Sequence, residues 1–510
     1  MANTVLHIFE RRVNDSGARP ALLYRRNGAW VEQSWREWWE ESERIAAALI
    51  DMGVGPGDSV SILSSTRVEW AWADMGIAMA GAVTVPVYPS NLPGQVAHIL
   101  SDADTRVLFV EDPSQLDKVL EVWDELPSLE TVILLETLAV HAEPDWRGRE
   151  TVRLEDVMPE ERDEVIRYEA VISRGRRQLA EDSSFVAERR RGVDPESVAS
   201  IVYTSGTSGV PKGVVHTHGG FAAEIEALRS LGILESDDRQ LLFLPLAHIF
   251  AKIVFLASMG TGIQTAFAES IDRVLENMRE TRPTFFASVP RVFEKIHDQL
   301  QRDVERRPGL RQRLYKRAFS RGRDFSRAQR KGEAAGAVQR AEQKVYETLV
   351  YRRIQRLFGG ELRFLFSGGA PLRPDLAEFF HAAGILLLEG YGITETAAVS
   401  TLNVPGDFRF GSVGKPLPNV YVTIDEDGEI LVRGESVMRE YHGMPEETAE
   451  AIEADTGWFH TGDIGKFDRD GFLHITGRKK ELIVTAGGKN VPPAHIERRL
   501  LESDFITGAV

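Results

Sequence analysis

Residues 59–87 read SVSILSSTRVEWAWADMGIAMAGAVTVPV. The run 59–63 is short and β-prone, and 83–87 is another of the same kind. Between them, residues 68–80 space their apolar side chains as a helix does. A strand, a helix and a second strand packed into 29 residues predict a crossover joining two parallel strands. Working outward, 35–52 carries a helical pattern, and DMGVGPGD at 51–58 breaks it with glycines and a proline. TRVLFVE at 105–111 is a third buried-strand candidate. The expectation is an α/β fold: mixed or parallel sheets covered by helices on both faces.

The polar, charged stretch 146–191 is expected to cover the surface between two lobes. Alternation resumes at Val198 and runs to about Phe366. At 420–432 the pattern changes to short strands around the turn Asp425-Glu426-Asp427-Gly428, which signals a hairpin in a small β-lobe. The expected sublobes are 1–190 and 191–400, followed by a β-lobe at 401–478. No repeat of fixed period is present.

A chain of 510 residues exceeds one ordinary core. Its formal charge of -16 argues against nucleic-acid binding over the whole surface. With no cysteine, thiolate nucleophiles, disulfides and Cys-based metal sites are excluded, so any thiol in the chemistry belongs to a substrate. The start, MANTVLHIFERRVNDSG, lacks the basic-then-apolar order of a signal peptide, and apolar runs such as 75–87 are too short to span a bilayer. A cytoplasmic protein is the plain reading, with contact at a membrane surface left open. Residues 306–330 form a basic helical stretch on this acidic chain, including Arg306 and Arg330. Either it is a solvated helix face, or it attracts anionic head groups or an anionic cofactor.

The strand-like Ile201-Val202-Tyr203 leads into TSGTSGVPKG at 204–213. Small residues and three glycines let backbone N–H groups approach an anion. Thr204, Ser205, Thr207 and Ser208 add hydroxyls, Gly206 and Gly209 add open backbone, and Lys212 adds a charge. The composition suits a polyphosphate cradle, although a surface Ser/Gly turn has the same residues. A Walker A loop is excluded because Lys212 is followed by Gly213.

This string resembles the phosphate loop of the adenylate-forming superfamily of acyl-CoA synthetases, luciferases and adenylation domains. Further resembling motifs follow in order: LPLAHIF at 244–250, SGGAPL at 367–372, EGYGITET at 389–396, WFHTGD at 458–463 and GRKKELI at 477–483. The resemblance implies that Gly368, Gly369 and Ala370 form the turn beside the adenine. Tyr391 would stack on the base, with Gly390 and Gly392 letting the ring approach the backbone. Thr394 and Glu395 would stand at the reacting end, with Glu395 and Thr204 as magnesium ligands. Asp463 would accept the ribose hydroxyls, Arg478 would pair with ribose or phosphate, and Lys480 would be the hinge. Lys212 and His248 complete the candidate catalytic set; His248 is a substrate-carboxylate contact or a packed histidine, with no acid–base role.

SVPRVFEKI at 288–296, the basic insertion after it, FLFSGGAPL at 364–372 and TAGGKNVPP at 485–493 resemble the long-chain fatty acyl-CoA synthetase branch. The resemblance runs from about residue 19 onward. It implies ATP, Mg2+ and coenzyme A, a fatty acid substrate, acyl-AMP as intermediate, and pyrophosphate and AMP as products. It also implies a large part at 1–478 and, at 479–510, the start of a small α+β domain. The family's late adenylation lysine lies well past the hinge. Lys489 is too early for that role, and the chain stops at Val510, 30 residues past Lys480. A truncated small domain is therefore expected. Two other readings stay open: a ligase that delivers its acyl group to a carrier protein, and a non-catalytic nucleotide or acyl-adenylate binder. Chain length and oligomeric state are not encoded in any residue singled out.

Overall fold

The computed structural model describes residues 4–140, 145–158, 160, 163–205, 210–306, 309–330, 336–481, 483–484 and 490–491. The chain forms two compact units, one of residues 1–277 with 438–445, the other of 278–437 with 446–510.

The first unit is built on the predicted crossover. Ser59–Leu63 pairs parallel with Val83–Val87 on one side and with Val107–Val110 on the other. Thr131–Leu134 and Val165–Arg167 extend the parallel run. On the opposite side Val198–Ser205 joins Val83–Val87, again parallel, and pairs antiparallel with Pro211–Thr217. The short strand Glu440–Tyr441 closes that edge. Strands 198–217 therefore belong to the first sheet, beyond the sublobe boundary expected near residue 190. A second group of strands lies in the same unit: the hairpin Pro20–Arg26 and Ala29–Ser34, then Gln264–Phe267 and Arg239–Leu242, both parallel to what precedes them.

Helix Val68–Met79 is buried along its whole length except at Glu69, which is half-buried. Its neighbour, Trp35–Asp51, starts at a capping box: the Ser34 hydroxyl accepts the Glu37 N–H at 3.2 Å, and Glu37 accepts the Ser34 N–H at 2.7 Å. The two helices cross at Gly76, where a Cβ would stand 2.7 Å from the Ile45 side chain. Helix Tyr168–Glu181 lies on the other side of Trp35–Asp51, at Gly175, where a Cβ would fall 1.9 Å from the Arg44 carbonyl oxygen. Both glycines serve close backbone approach. The expectation that 146–191 covers a surface between lobes is thus corrected: its main helix is a layer of the first unit, because a half-apolar helix must bury one face.

Helix Ile249–Thr261 is tied to Val68–Met79 by a buried ion pair, Lys252 Nζ to Asp74 Oδ1 at 2.9 Å. The ammonium also lies 5.5 Å from the ring centres of Trp70 and Phe221.

In the second unit Phe285–Ser288, Phe364–Ser367 and Leu386–Tyr391 are parallel, and two-residue strands at 401–402 and 415–416 add antiparallel pairings. Helices Pro290–Glu305, Leu310–Arg330 and Pro374–Ala382 pack through an aromatic cluster in which Phe319 and Phe379 stack at 4.3 Å. The predicted hairpin is present: Tyr421–Ile424 and Glu429–Arg433 pair across the turn at 425–428, and Phe459–Phe467 and Leu473–Arg478 complete a four-stranded antiparallel lobe. Past residue 481, the pairing of 483–484 with 490–491 is described; Lys489 and 492–510 lie outside the described residues.

Removing one partner of the Asp74–Lys252 pair strands a buried charge. Asp74→Ala should lower apparent unfolding stability by about 3–5 kcal/mol. The double replacement Asp74→Leu with Lys252→Met should cost less than the single one, as read from urea midpoints. Equal midpoints for Asp74→Ala and wild type would contradict the burial of the pair.

Candidate active site

In the second unit the strand Leu386–Tyr391 carries the nucleoside-side candidates to its carboxyl end. One residue before the glycines, buried Glu389 accepts the Leu372 N–H at 2.9 Å. That bond fixes the 368–372 turn against the strand. Gly368 donates its N–H to Ser288 at 3.1 Å, and Gly369 has φ +78°, a conformation costly for a residue with a Cβ.

After Tyr391 the backbone doubles back. Thr394–Thr396 is a single 3₁₀ turn, followed by Ala397 and Ala398 at φ 54° and 83°. Consecutive left-handed alanines are uncommon and strained. The turn closes because Gly392 has no side chain: a Cβ there would stand 2.0 Å from the Ala398 carbonyl oxygen. Gly390 likewise sits against Leu402 and the Thr401 carbonyl. Both glycines thus answer to backbone crossings inside the protein, a steric need beside the room for a base that the resemblance implied. Residues 391–395, Thr394 and Glu395 among them, are half-exposed on the outer side of this turn.

The structure brings Tyr391, Asp463 and Arg478 together. Asp463 and Arg478 are cross-strand partners in the β-lobe. Tyr391 Oη donates to Asp463 Oδ2 at 2.7 Å, and Arg478 Nε reaches Asp463 Oδ1 at 3.1 Å. Asp463 is 4% exposed. Burial raises its pKa, and the Tyr391 hydroxyl and the Arg478 charge offset part of that rise. Burial, then the nearby Asp463 charge, hold the Tyr391 phenol well above its usual value. An ionised carboxylate has lone pairs left for two ribose hydroxyls.

One supporting residue escaped the sequence reading. Glu429, the first residue of its strand, accepts the Gly462 N–H at 2.8 Å and the Lys479 ammonium at 2.7 Å, and touches His460 at 3.2 Å. It fixes the segment just before Asp463 and the residue just before Lys480. The available signal was its place directly after the turn DEDG, which reads as an ordinary hairpin flank. Lys479 also pairs with Asp427 at 2.6 Å, and Lys480 is exposed in the 3₁₀ turn Lys479–Glu481.

In the first unit the strands on either side of the phosphate-side loop, Val198–Ser205 and Pro211–Thr217, pair antiparallel. Thr204 stands opposite Lys212, and Ser205 opposite Pro211. Gly206, Thr207, Ser208 and Gly209 lie outside the described residues. The stem is braced: His442 donates its N–H to the Gly213 carbonyl at 2.7 Å, and Tyr203 Oη donates to Asp102 at 2.5 Å. The Lys212 ammonium lies 5.1 Å from the Tyr441 ring centre. Its charge is therefore held at the mouth of the hairpin, beside the loop.

His248 caps helix Ile249–Thr261, its Nδ1 accepting the Phe250 N–H at 3.1 Å. That bond leaves the proton on Nε2 in the neutral ring. Surrounding protein atoms lower the pKa by desolvation, although one edge of the residue stays open to solvent. The packed-histidine reading is met in part: the ring is a hydrogen-bonded helix cap on a residue whose other edge is open to solvent. Upstream, Thr66 holds the same segment, donating to the Leu244 carbonyl at 2.6 Å and accepting the Leu246 N–H at 2.8 Å.

No group of three His, Asp or Glu side chains suited to a metal occurs among the described residues. Magnesium bound through one or two protein oxygens plus substrate phosphates needs no such cluster. The Thr204 hydroxyl and Glu395 carboxylate are hard oxygen donors of that kind.

Residues 9–442 match the family described as AMP-binding enzyme. The chain belongs to the AMP-binding enzyme family. It is 36% identical to the long-chain-fatty-acid–CoA ligase FadD15 of Mycobacterium bovis, over all of this chain and 79% of that protein. It is 33% identical to the long-chain-fatty-acid–CoA ligase heimdall of Drosophila melanogaster, over 97% of this chain and 72% of that one. Among solved structures, the inhibitor-bound N-terminal domain of FACL13 from Mycobacterium tuberculosis shares the fold, with TM-score 0.68 and 23% identity over 94% of this chain and 100% of that chain.

The raised Asp463 pKa has a stability consequence. Its carboxyl costs nothing while protonated and becomes a burden as pH rises through the carboxyl range. Asp463→Asn should therefore gain in melting temperature relative to wild type as pH increases from about 4 to 7. A pH-independent difference would contradict the assigned environment.

Proposed function

We propose that this chain activates a long-chain fatty acid with MgATP and passes the acyl group to coenzyme A. The fatty acid carboxylate attacks the α-phosphorus, and pyrophosphate leaves to give acyl-AMP. The coenzyme A thiolate then attacks the acyl carbon, and AMP leaves. The observation that carries this reading is the buried Asp463 carboxylate held between Tyr391 and Arg478, the groups the resemblance assigns to the nucleoside. The curated relatives named above support the substrate class.

The residues take separate roles. Thr204, Ser205, Gly206, Thr207, Ser208 and Gly209 are assigned to the phosphates, with Lys212 as a neutralising charge. Gly368, Gly369 and Ala370 are assigned to the edge of the base, with Tyr391 on its face. Glu395 and Thr204 would hold magnesium, whose chemistry is to neutralise charge on the phosphate oxygens. The His248 Nε2–H suits a donor to the substrate carboxylate. This chemistry asks for positioning and charge rather than a protein nucleophile, which agrees with a chain that has no cysteine. We place the hinge at Lys480, with the large part at 1–478, since Lys479 is anchored to Asp427 and Glu429 on the lobe side. No helix among the described residues is long and apolar enough to cross a membrane. Contact with an anionic membrane surface is assigned to 306–330.

Pyrophosphate and AMP release with a palmitate-like acid, with and without coenzyme A, tests the reading. Coenzyme A-dependent AMP release is expected; its absence with a full-length protein would sink it. Glu395→Gln should lower magnesium-dependent turnover about a hundredfold while leaving the melting temperature near wild type. Asp463→Ala should raise the KM for ATP by about tenfold or more, and an unchanged KM would remove the ribose assignment.

A further inference from the structure

Residues 244–248, LPLAH, leave strand Arg239–Leu242 and turn into helix Ile249–Thr261. Leu244, Leu246 and Ala247 are buried, whereas Pro245 and His248 stand at the surface. The His248 N–H closes the turn by donating to the Pro245 carbonyl at 2.8 Å. On either side of Pro245, the Leu244 carbonyl and the Leu246 N–H belong to buried residues and need partners. One side chain meets both. Thr66 Oγ1 donates to the Leu244 carbonyl at 2.6 Å and accepts the Leu246 N–H at 2.8 Å.

Thr66 is itself firmly placed. It follows strand Ser59–Leu63, in a loop whose flanks are tied to acids on neighbouring strand ends. Ser65 donates its N–H and its hydroxyl to Glu111 at 2.8 and 2.5 Å. Arg67 reaches Glu69 at 2.7 Å and Glu136 at 2.5 Å. Glu111 and Glu136 lie just past strands Val107–Val110 and Thr131–Leu134. The helix after the loop, Val68–Met79, grips the first turn of Ile249–Thr261 through the buried Asp74–Lys252 pair. Residues 64–79 therefore hold the chain both before and after His248. Before it, everything passes through one hydroxyl. Only a group that donates and accepts can bridge a carbonyl and an N–H: serine keeps both capacities, and valine has the shape of threonine with neither.

We propose that Thr66 is a positioning residue for the acid-activating step. Acting through the 244–246 backbone, it sets where the His248 ring meets the substrate carboxylate. The role rests on the assignment of His248 to that carboxylate given above. A reacting group displaced by about 1 Å can cost about a hundredfold in rate, so a bond remote from the chemistry can matter.

Pyrophosphate release by the full-length protein with MgATP and a palmitate-like acid tests the proposal. T66V should lower kcat/KM for the acid by about tenfold or more while the KM for ATP stays at the wild-type value. T66A should reproduce that loss with less bulk at the site, and T66S should recover the wild-type value to within about twofold. T66V/H248A should match H248A alone, because a residue that acts through His248 has nothing left to position. Wild-type kcat/KM in T66V and T66A beside an impaired H248A would overturn the positioning role and leave the His248 assignment standing. Wild-type turnover by H248A would remove that assignment, and the positioning role with it. A further fall on adding T66V to H248A, or a raised KM for ATP that T66S does not correct, would make Thr66 a support of the fold alone and overturn the proposal.

Discussion

Strand Val198–Ser205 is bound in opposite senses on its two edges, parallel to Val83–Val87 and antiparallel to Pro211–Thr217. That double pairing decides where the two strands flanking the Ser/Gly-rich loop stand. The parallel partner aligns the strand's carboxyl end with the ends of its neighbours, where open α/β sheets gather ligands. The antiparallel partner returns the chain at once and places Lys212 across from Thr204. Bracing by Asp102 and His442 keeps the stem in register. The stem inherits its position from backbone hydrogen bonds and its charge from one lysine.

The second unit solves a different problem, holding a carboxylate inside protein before any nucleotide arrives. Burial works against the charge of Asp463, and a phenol and a guanidinium offset only part of that cost. A group left under-satisfied in this way is poised to accept further donors. Glu429 is the contrast. It too loses solvation, yet Lys479, His460 and the Gly462 N–H bring its pKa below the usual value, and it serves the scaffold. Two buried acids one strand apart are separated in role by how fully their partners meet them.

Much of this was legible in the residues. The 59–87 crossover, the hairpin at 425–428 and the strand that leads into the loop follow from period and turn chemistry, which are local properties. Stretch 146–191 was misplaced because its apolar positions are few, and its main helix is seated by buried Val171 and Ile172 with Gly175 meeting a carbonyl of a helix distant in sequence. No pattern along the chain announces such a crossing. At the site, Tyr391, Asp463 and Arg478 were found as separate motifs, and their mutual contact depends on strand register in the β-lobe. Glu429 stayed hidden because its partners lie 31 to 50 residues away.

The paired left-handed alanines after Glu395 bear on how this segment can vary. A β-branched side chain at 397 or 398 would meet its own backbone before touching any neighbour, so the choice there narrows to glycine, alanine and the few polar residues that tolerate the conformation. The turn that presents Glu395 is thereby screened at the level of the single peptide unit. A sequence can drift there only along a path set by steric hindrance, whatever molecule the protein is selected to bind.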